Sequence, residues 1–233
     1  MSADKRFRSP SGLSDVLEVS LPDSLLQPAL THRSYAYEHS VENYERMEFL
    51  GDAVLQQVVT LELFHRFPDL SEGDLAKRRA ALVSTVALAE VARRLDLGPY
   101  IRLGNGEIAT GGHAKASILA DVVEALIGAT YLSRGQDAAT KLVLHLVGPL
   151  FDEVDRFGAS MDPKTALQEH ADRAGMPKPV YTVESTGPDH ARVFTATVSF
   201  AGEVAGAGEG SSKKVAEAAA ALVAWEAIAA NGH

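Results

Sequence analysis

The chain has no cysteine. Disulfides and thiolate-bound zinc are therefore excluded, and a cytoplasmic location is expected. No uninterrupted run of apolar residues is long enough to span a bilayer, so no membrane partner is expected. Met1 to Ser11 is polar and basic, without the apolar stretch of a secretion signal. Positive charge is also scarce. Lys and Arg number 22 against 31 Asp and Glu, a net charge of −9. Such a chain exerts no long-range pull on nucleic acid, so any RNA binding must come from local basic features. The bland use of the excess negative charge is solubility. A strand pattern is missing too, until about residue 178 by the alternation rule.

What is present begins with length and apolar content. The 233 residues suit one large domain or two small ones, and 46% hydrophobic residues suffice for a packed core. The spacing predicts short helices over 13–36, a long helix over 42–67 ended by Pro68, a second helix from the Ser71 start through Lys77, Arg78 and Arg79, and helix again over 84–95 after a break near Ser84. Ser71-Glu72-Gly73-Asp74 reads as a capping box with Asp in the fourth place. Leu97 to Gly112 is glycine-rich but lacks the Gly-Lys-Ser/Thr ending of a phosphate loop, so it reads as a connector. Ser117 reads as the N-cap of a helix over 118–133, followed by another from Asp137 to about Phe157. The composition then changes. A linker is expected at 156–161, followed by a helix, three strands and a closing helix capped by Ser211-Ser212.

The chemistry lies in two helical stretches. In Glu45-Arg46-Met47-Glu48-Phe49-Leu50-Gly51-Asp52, an advance of about 100° per residue stacks Glu48 over Asp52. The same face continues into Leu55 and Val59, and the stripe Met47, Leu50, Val54, Val58 and Leu61 is apolar as well. In the second stretch, Asp121 and Glu124 share a face amid Ile118, Leu119, Val122, Val123, Ala125, Leu126 and Ile127. A buried anion is costly without compensation. If the two helices face each other, four carboxylates converge and cannot all stay ionised without a cation. Oxygen-only ligation selects a hard ion, Mg2+ or Mn2+. Two such ions would suit in-line hydrolysis of a phosphodiester. Acids at these spacings are also common on solvated helix faces, and each pair alone would more often be surface charge. His32 alone reads as a partly buried, satisfied histidine. Glu62-x-x-His65 has the spacing of an iron-carboxylate bundle, but only one such motif occurs.

The stretches Tyr44-Glu45-Arg46-Met47-Glu48-Phe49-Leu50-Gly51-Asp52 and Ser117-Ile118-Leu119-Ala120-Asp121-Val122-Val123-Glu124-Ala125 resemble the signatures of the ribonuclease III family. Thr31-His32-Arg33-Ser34-Tyr35 and Gly73-Asp74-Leu75-Ala76-Lys77 extend the resemblance. It implies an all-α endonuclease domain over 1–155 that forms a homodimer. It also implies Mg2+ on Glu48, Asp52, Asp121 and Glu124, with Asp52 and Glu124 catalytic. Glu45 and Glu72 match acids placed for RNA contact or outer support. The commonest signature has Asn where this chain has Tyr44. Such enzymes cut both strands of double-stranded RNA, leaving 5′-phosphates and short 3′ overhangs, in ribosomal RNA precursors, messenger RNA and other structured transcripts. The competing class is a non-catalytic double-stranded RNA-binding protein, which all four acids argue against.

Residues 162–233 resemble a small α+β double-stranded RNA-binding domain of order α-β-β-β-α. By that resemblance Thr165 and Gln168 would touch one minor groove and His190, in Gly187-Pro188-Asp189-His190, the next. Ser212, Lys213 and Lys214 would meet the phosphates between them at a helix N-terminus, where free N–H groups favour anions. Such domains read A-form shape and 2′-hydroxyls. The segment holds six positive and nine negative residues, a net of −3. We therefore expect the isolated tail to bind duplex RNA weakly and with a shallow salt dependence. A plot of log K against log salt with a slope implying about six or more phosphate contacts would contradict this.

Overall fold

A computed structural model describes residues 6–188 and 191–231. The chain divides into two compact units, Met1–Val154 and Asp155–His233.

The first unit is helical among its described residues. A 3-10 turn at Pro10–Gly12 leads into α1 (Leu13–Leu17), α2 (Asp23–Ala29) and α3 (Arg33–His39). The long α4 (Glu45–Arg66) follows, then α5 (Glu72–Leu82), α6 (Thr85–Arg94) and the short α7 (Asn105–Ala109). α8 (Ala116–Arg134) and α9 (Gln136–Val147) complete the helical core. Half of the expected box at Ser71 forms: its Oγ accepts from Asp74 N at 3.2 Å, but the Asp74 carboxylate accepts from the Ser71 hydroxyl at 2.7 Å and not from the Ser71 main chain. Ser84 caps α6 in the same way, through Ala87 N at 3.2 Å. Ser117 does not cap α8. The helix starts earlier, with Lys115 in extended conformation as its N-cap. Lys115 Nζ is drawn back to Glu107 Oε2 at 2.6 Å and Thr110 Oγ1 at 2.8 Å, which offsets a cation at the positive end of a helix. The helix expected to run from Asp137 to Phe157 instead ends at Val147 and passes into a 3-10 turn, Gly148–Glu153, at Pro149.

α8 is the axis of this unit, packed against α2, α4, α6 and α9. Between Ile118 and Thr130 every residue of α8 is buried except Asp121 and Glu124. By length and composition α8 could cross a membrane, but most of it is buried inside the protein, as in a core helix. α4 and α8 meet at two glycines. A Cβ on Gly51 would run into the Glu124 carbonyl oxygen and lie 3.0 Å from Gly128 N. A Cβ on Gly128 would run into the Met47 carbonyl oxygen and lie 3.2 Å from Gly51 N. The two backbones therefore touch. On α4 the buried residues are Met47, Gly51, Val54, Leu55, Val58, Val59 and Leu63. Leu61, expected inside, is 51% exposed.

In the second unit, α10 (Val154–Met161) occupies the stretch expected as a linker, and Phe157 and Ala159 on it are buried. α11 (Pro163–Arg173), β1 (Val180–Thr186), β2 (Val193–Phe200), β3 (Glu203–Gly210) and α12 (Lys213–Asn231) follow. The sheet is antiparallel in the order β1-β2-β3. β3 is poor in strand formers yet pairs along its length, because its glycines admit α12. A Cβ on Gly210 would lie 2.7 Å from Ala216 N, and one on Gly206 2.8 Å from Ala224 N. Ala216, Ala220, Ala221 and Ala224 form a small-residue face that closes the core with Leu167, Ala171, Ala196, Val198 and Phe200. Packing here overrides strand propensity.

Since the atoms facing Gly51 and Gly128 are backbone, neither site can accept a methyl group without moving a helix. Gly51→Ala and Gly128→Ala are each expected to cost about 3 kcal/mol or more, at or above the usual range for overpacking. Urea unfolding of the two variants checks this.

Candidate active site

Four acids from the two touching helices face one another electrostatically. The Glu124 carboxyl is pushed up to about 8, first by burial and then by the charges of Asp52, Glu48 and Asp121. Glu48 is raised by burial, then by Asp121, Glu45 and Asp52. Asp121 is raised by burial, against the lowering effect of a hydrogen bond from Tyr44. Arg33 relieves Glu48 and Asp121 but has no such effect on Glu124. Asp52 is the exposed member, and Gln56 Nε2 donates to its Oδ1 at 3.3 Å. The expectation that the two acid pairs share one locality therefore matches the structure. The apolar setting of Asp52 is the exception: its side chain stands at the rim.

The carboxylates are neighbours rather than a closed cage. Among the described residues, no three His, Cys, Asp or Glu groups stand close enough together to hold a metal ion as they are. The donor set nevertheless suits a hard divalent cation. It is all oxygen, it is half-buried, and among the described residues nothing cationic offsets the charge around Glu124. Glu45 sits one turn before the site. Arg33 Nη1 lies 3.9 Å from its Oε1, and Asn43 Nδ2 donates to its Oε2 at 3.2 Å. Glu72 opens α5, is exposed, and is not among the charges acting on Glu124. Glu62 binds Arg66 at 2.6 Å, and His65 is exposed, so the iron-type spacing holds no site.

Sequence reasoning missed Tyr44. The residue is 2% exposed and its hydroxyl donates to Asp121 Oδ2 at 3.1 Å. Burial and the neighbouring acids raise its pKa far above the usual range, so it remains a donor. The Thr31-His32-Arg33-Ser34 stretch holds it in place. Thr31 O accepts from Tyr44 N at 3.0 Å, and the His32 ring packs 5.8 Å from the Tyr44 ring. His32 Nδ1 accepts from Ser34 N at 3.2 Å and Ser34 Oγ at 2.7 Å, which puts the neutral ring's proton on Nε2. Burial lowers the His32 pKa and keeps it neutral. Gly104 N donates to Ser34 Oγ at 2.9 Å, tying the glycine-rich connector to the same network. His32 is thus the buried, satisfied histidine that the sequence suggested. The available signal for Tyr44 was its departure from Asn at a signature position.

In the second unit, Thr165 is exposed on the first turn of α11 and Gln168 donates to Asp172 Oδ1 at 2.9 Å. Ser212 Oγ caps α12 through Val215 N at 3.3 Å, leaving Lys213 and Lys214 exposed on its first turn. His190 lies outside the described residues.

The pKa directions set a pH dependence for the metal-free protein. Glu124 holds its proton more tightly folded than unfolded, so its contribution to stability is complete at low pH and lost as pH rises through about 8. Thermal unfolding of the metal-free chain is expected to move to lower temperature as pH rises from about 4.5 to about 8 and to level off above that, and Glu124→Gln to remove part of that slope, Glu48 and Asp121 carrying the rest, while raising the midpoint at the upper end.

A ribonuclease-III-like family model matches residues 22–150, and a double-stranded RNA binding motif matches residues 163–228. The chain is 60% identical over 219 residues to ribonuclease 3 of Leifsonia xyli subsp. xyli, covering 94% of this chain and 92% of that protein. It is 54% identical over 226 residues to ribonuclease 3 of Mycobacterium tuberculosis, covering 95% and 94%. Among solved structures it is similar to the nuclease domain of ribonuclease III from Campylobacter jejuni, described as flexible in the region involved in dimer formation. The TM-score is 0.58 at 43% identity, over 62% of this chain and 99% of that one. With an all-helical first unit, an α-β-β-β-α tail and these relatives over nearly its whole length, the chain belongs to the ribonuclease III family of endoribonucleases.

Proposed function

We propose that this chain is a cytoplasmic, Mg2+-dependent endonuclease for double-stranded RNA that leaves 5′-phosphates and short 3′ overhangs. Its domains are nuclease over 1–155 and RNA-binding over 162–233, and its substrates are ribosomal RNA precursors and other structured transcripts. The observation that carries the reading is the patch of half-buried Glu48, Asp121 and Glu124 with Asp52 at its rim, in which burial first and then the neighbouring acids push Glu124 up to about 8. Magnesium there, with Mn2+ able to substitute, supplies a water of lowered pKa for in-line attack on phosphorus and neutralises the departing 3′ oxygen. Glu48, Asp52, Asp121 and Glu124 would hold it. Because Glu124 favours its proton, metal and proton compete for the same oxygens, and metal uptake releases the proton. Glu45, held by Arg33 and Asn43, is assigned to RNA contact or outer support, and Glu72 to the RNA side of the site.

A homodimer is part of this reading. On the outer side of α4, Phe49 is 81% exposed, Leu61 51% and Phe64 64%. Several large apolar side chains exposed on one helix suit an interaction surface. Paired nuclease units would present two carboxylate patches to the two strands of one duplex. In the tail, Thr165, Gln168, His190, Ser212, Lys213 and Lys214 are assigned to RNA. Lys164 is not, because its Nζ is committed to Glu217 Oε2 at 2.6 Å and lies 4.5 Å over the Tyr181 ring.

The test is incubation with long duplex RNA in Mg2+ and, separately, in Ca2+. Short duplex products are expected in Mg2+, and intact RNA at high protein would overturn the proposal in favour of a binding protein. Glu124→Ala should bind duplex RNA as before and cleave more than about 100-fold more slowly, beyond the loss typical of outer-shell changes. Cleavage near the parental rate would remove Glu124 from the ligand set.

A further inference from the structure

We propose that Tyr44 is a positioning residue for the metal site, orienting the Asp121 carboxylate through its hydroxyl. The inference rests on the nuclease reading above and adds a residue to it. Asp121 arises from α8 and Glu48 from α4, so the site needs a device that registers the two helices at the level of side chains as well as backbones. The glycine contact between Gly51 and Gly128 does the backbone part. Tyr44 is the polar bond between the start of α4 and an acid of α8, with Oη donating to Asp121 Oδ2 at 3.1 Å.

Three features make that bond a fixed one. The ring is 2% exposed and so has no freedom to swing into solvent. The Tyr44 main chain is anchored by Thr31 O, whose own residue is fully buried and bound through Oγ1 to Gln27 O at 2.6 Å. The His32 ring packs beside it and is itself oriented by Ser34. A phenol has one proton to give, and it is directed at a carboxylate oxygen. One oxygen of Asp121 is thereby committed, and rotation of the carboxylate is restricted before a cation arrives. Preorganisation of a ligating carboxylate by an outer hydrogen bond is a general means of strengthening a metal site.

Tyr44→Phe deletes the hydroxyl and keeps the ring. Mn2+ binding by the RNA-free protein, followed by water-proton relaxation, is expected to weaken about 10–100-fold. The Mn2+ concentration for half-maximal cleavage of long duplex RNA should rise in step, with kcat at saturating metal nearly retained and the thermal midpoint nearly unchanged. In an Asp121→Asn background the same change should add little, since the carboxylate it orients is gone. A purely structural tyrosine would give the opposite pattern, a lowered thermal midpoint with Mn2+ affinity intact. Equal Mn2+ midpoints for Tyr44→Phe and the parent, in a parent that cleaves, would overturn the role of Tyr44 and leave the nuclease reading standing. A parent that fails to cleave in Mg2+ would overturn both.

Discussion

The contact between Gly51 and Gly128 is the constraint on which the site depends. α8 runs through the core with Asp121 and Glu124 as the only interruptions in a buried stretch from Ile118 to Thr130. α4 brings Glu48 and Asp52 on the turn that contains Gly51. With no side chain at either crossing point, main chains touch and the four carboxylates fall within one electrostatic neighbourhood. A larger residue at either crossing would separate the helices and dilute the repulsion that makes the patch useful. The protein carries that repulsion as an unfavourable term in its own stability, in the way that sites built for a ligand commonly do.

The supporting structure explains motifs that have no chemistry of their own. Thr31, His32 and Ser34 do not act on substrate in this reading. Thr31 O pins the start of α4, His32 packs beside Tyr44, and Ser34 ties both to the connector at Gly104. Arg102 serves the same scaffold through its main chain, since its N donates to Leu30 O at 2.8 Å and its carbonyl accepts from His32 N at 3.0 Å. Buried polar groups that satisfy one another restrict side-chain orientation more sharply than apolar packing does.

The tail domain is built on economy of side-chain volume. Glycines of β3 and alanines of α12 let helix and strand approach closely, and the core is small as a result. Its electrostatics are equally spare. Of its six positive residues, Lys164 is neutralised within the fold by Glu217, while Lys213 and Lys214 remain exposed together at a capped helix start.

Much of this was readable in advance. Helix and strand order followed from periodicity and caps, and both acid pairs from their placement in apolar stretches, because these are properties of neighbours along the chain. Where the structure departs from the local pattern, the cause is tertiary. Ser117 falls inside the first turn of α8, whose N-cap is the extended Lys115, and Leu61 faces outward because α4 buries the side that carries Gly51. Residues 156–161 became helix with Phe157 buried, which their composition did not announce. The order of helices and strands and the two acid pairs were legible along the chain, since spacing and donor chemistry are one-dimensional facts. Packing between remote segments decided that α4 and α8 touch, that Glu124 is buried beside three other acids and that Tyr44 reaches Asp121 across 77 positions. Distances between segments remote in sequence are set by packing, and no local pattern encodes them.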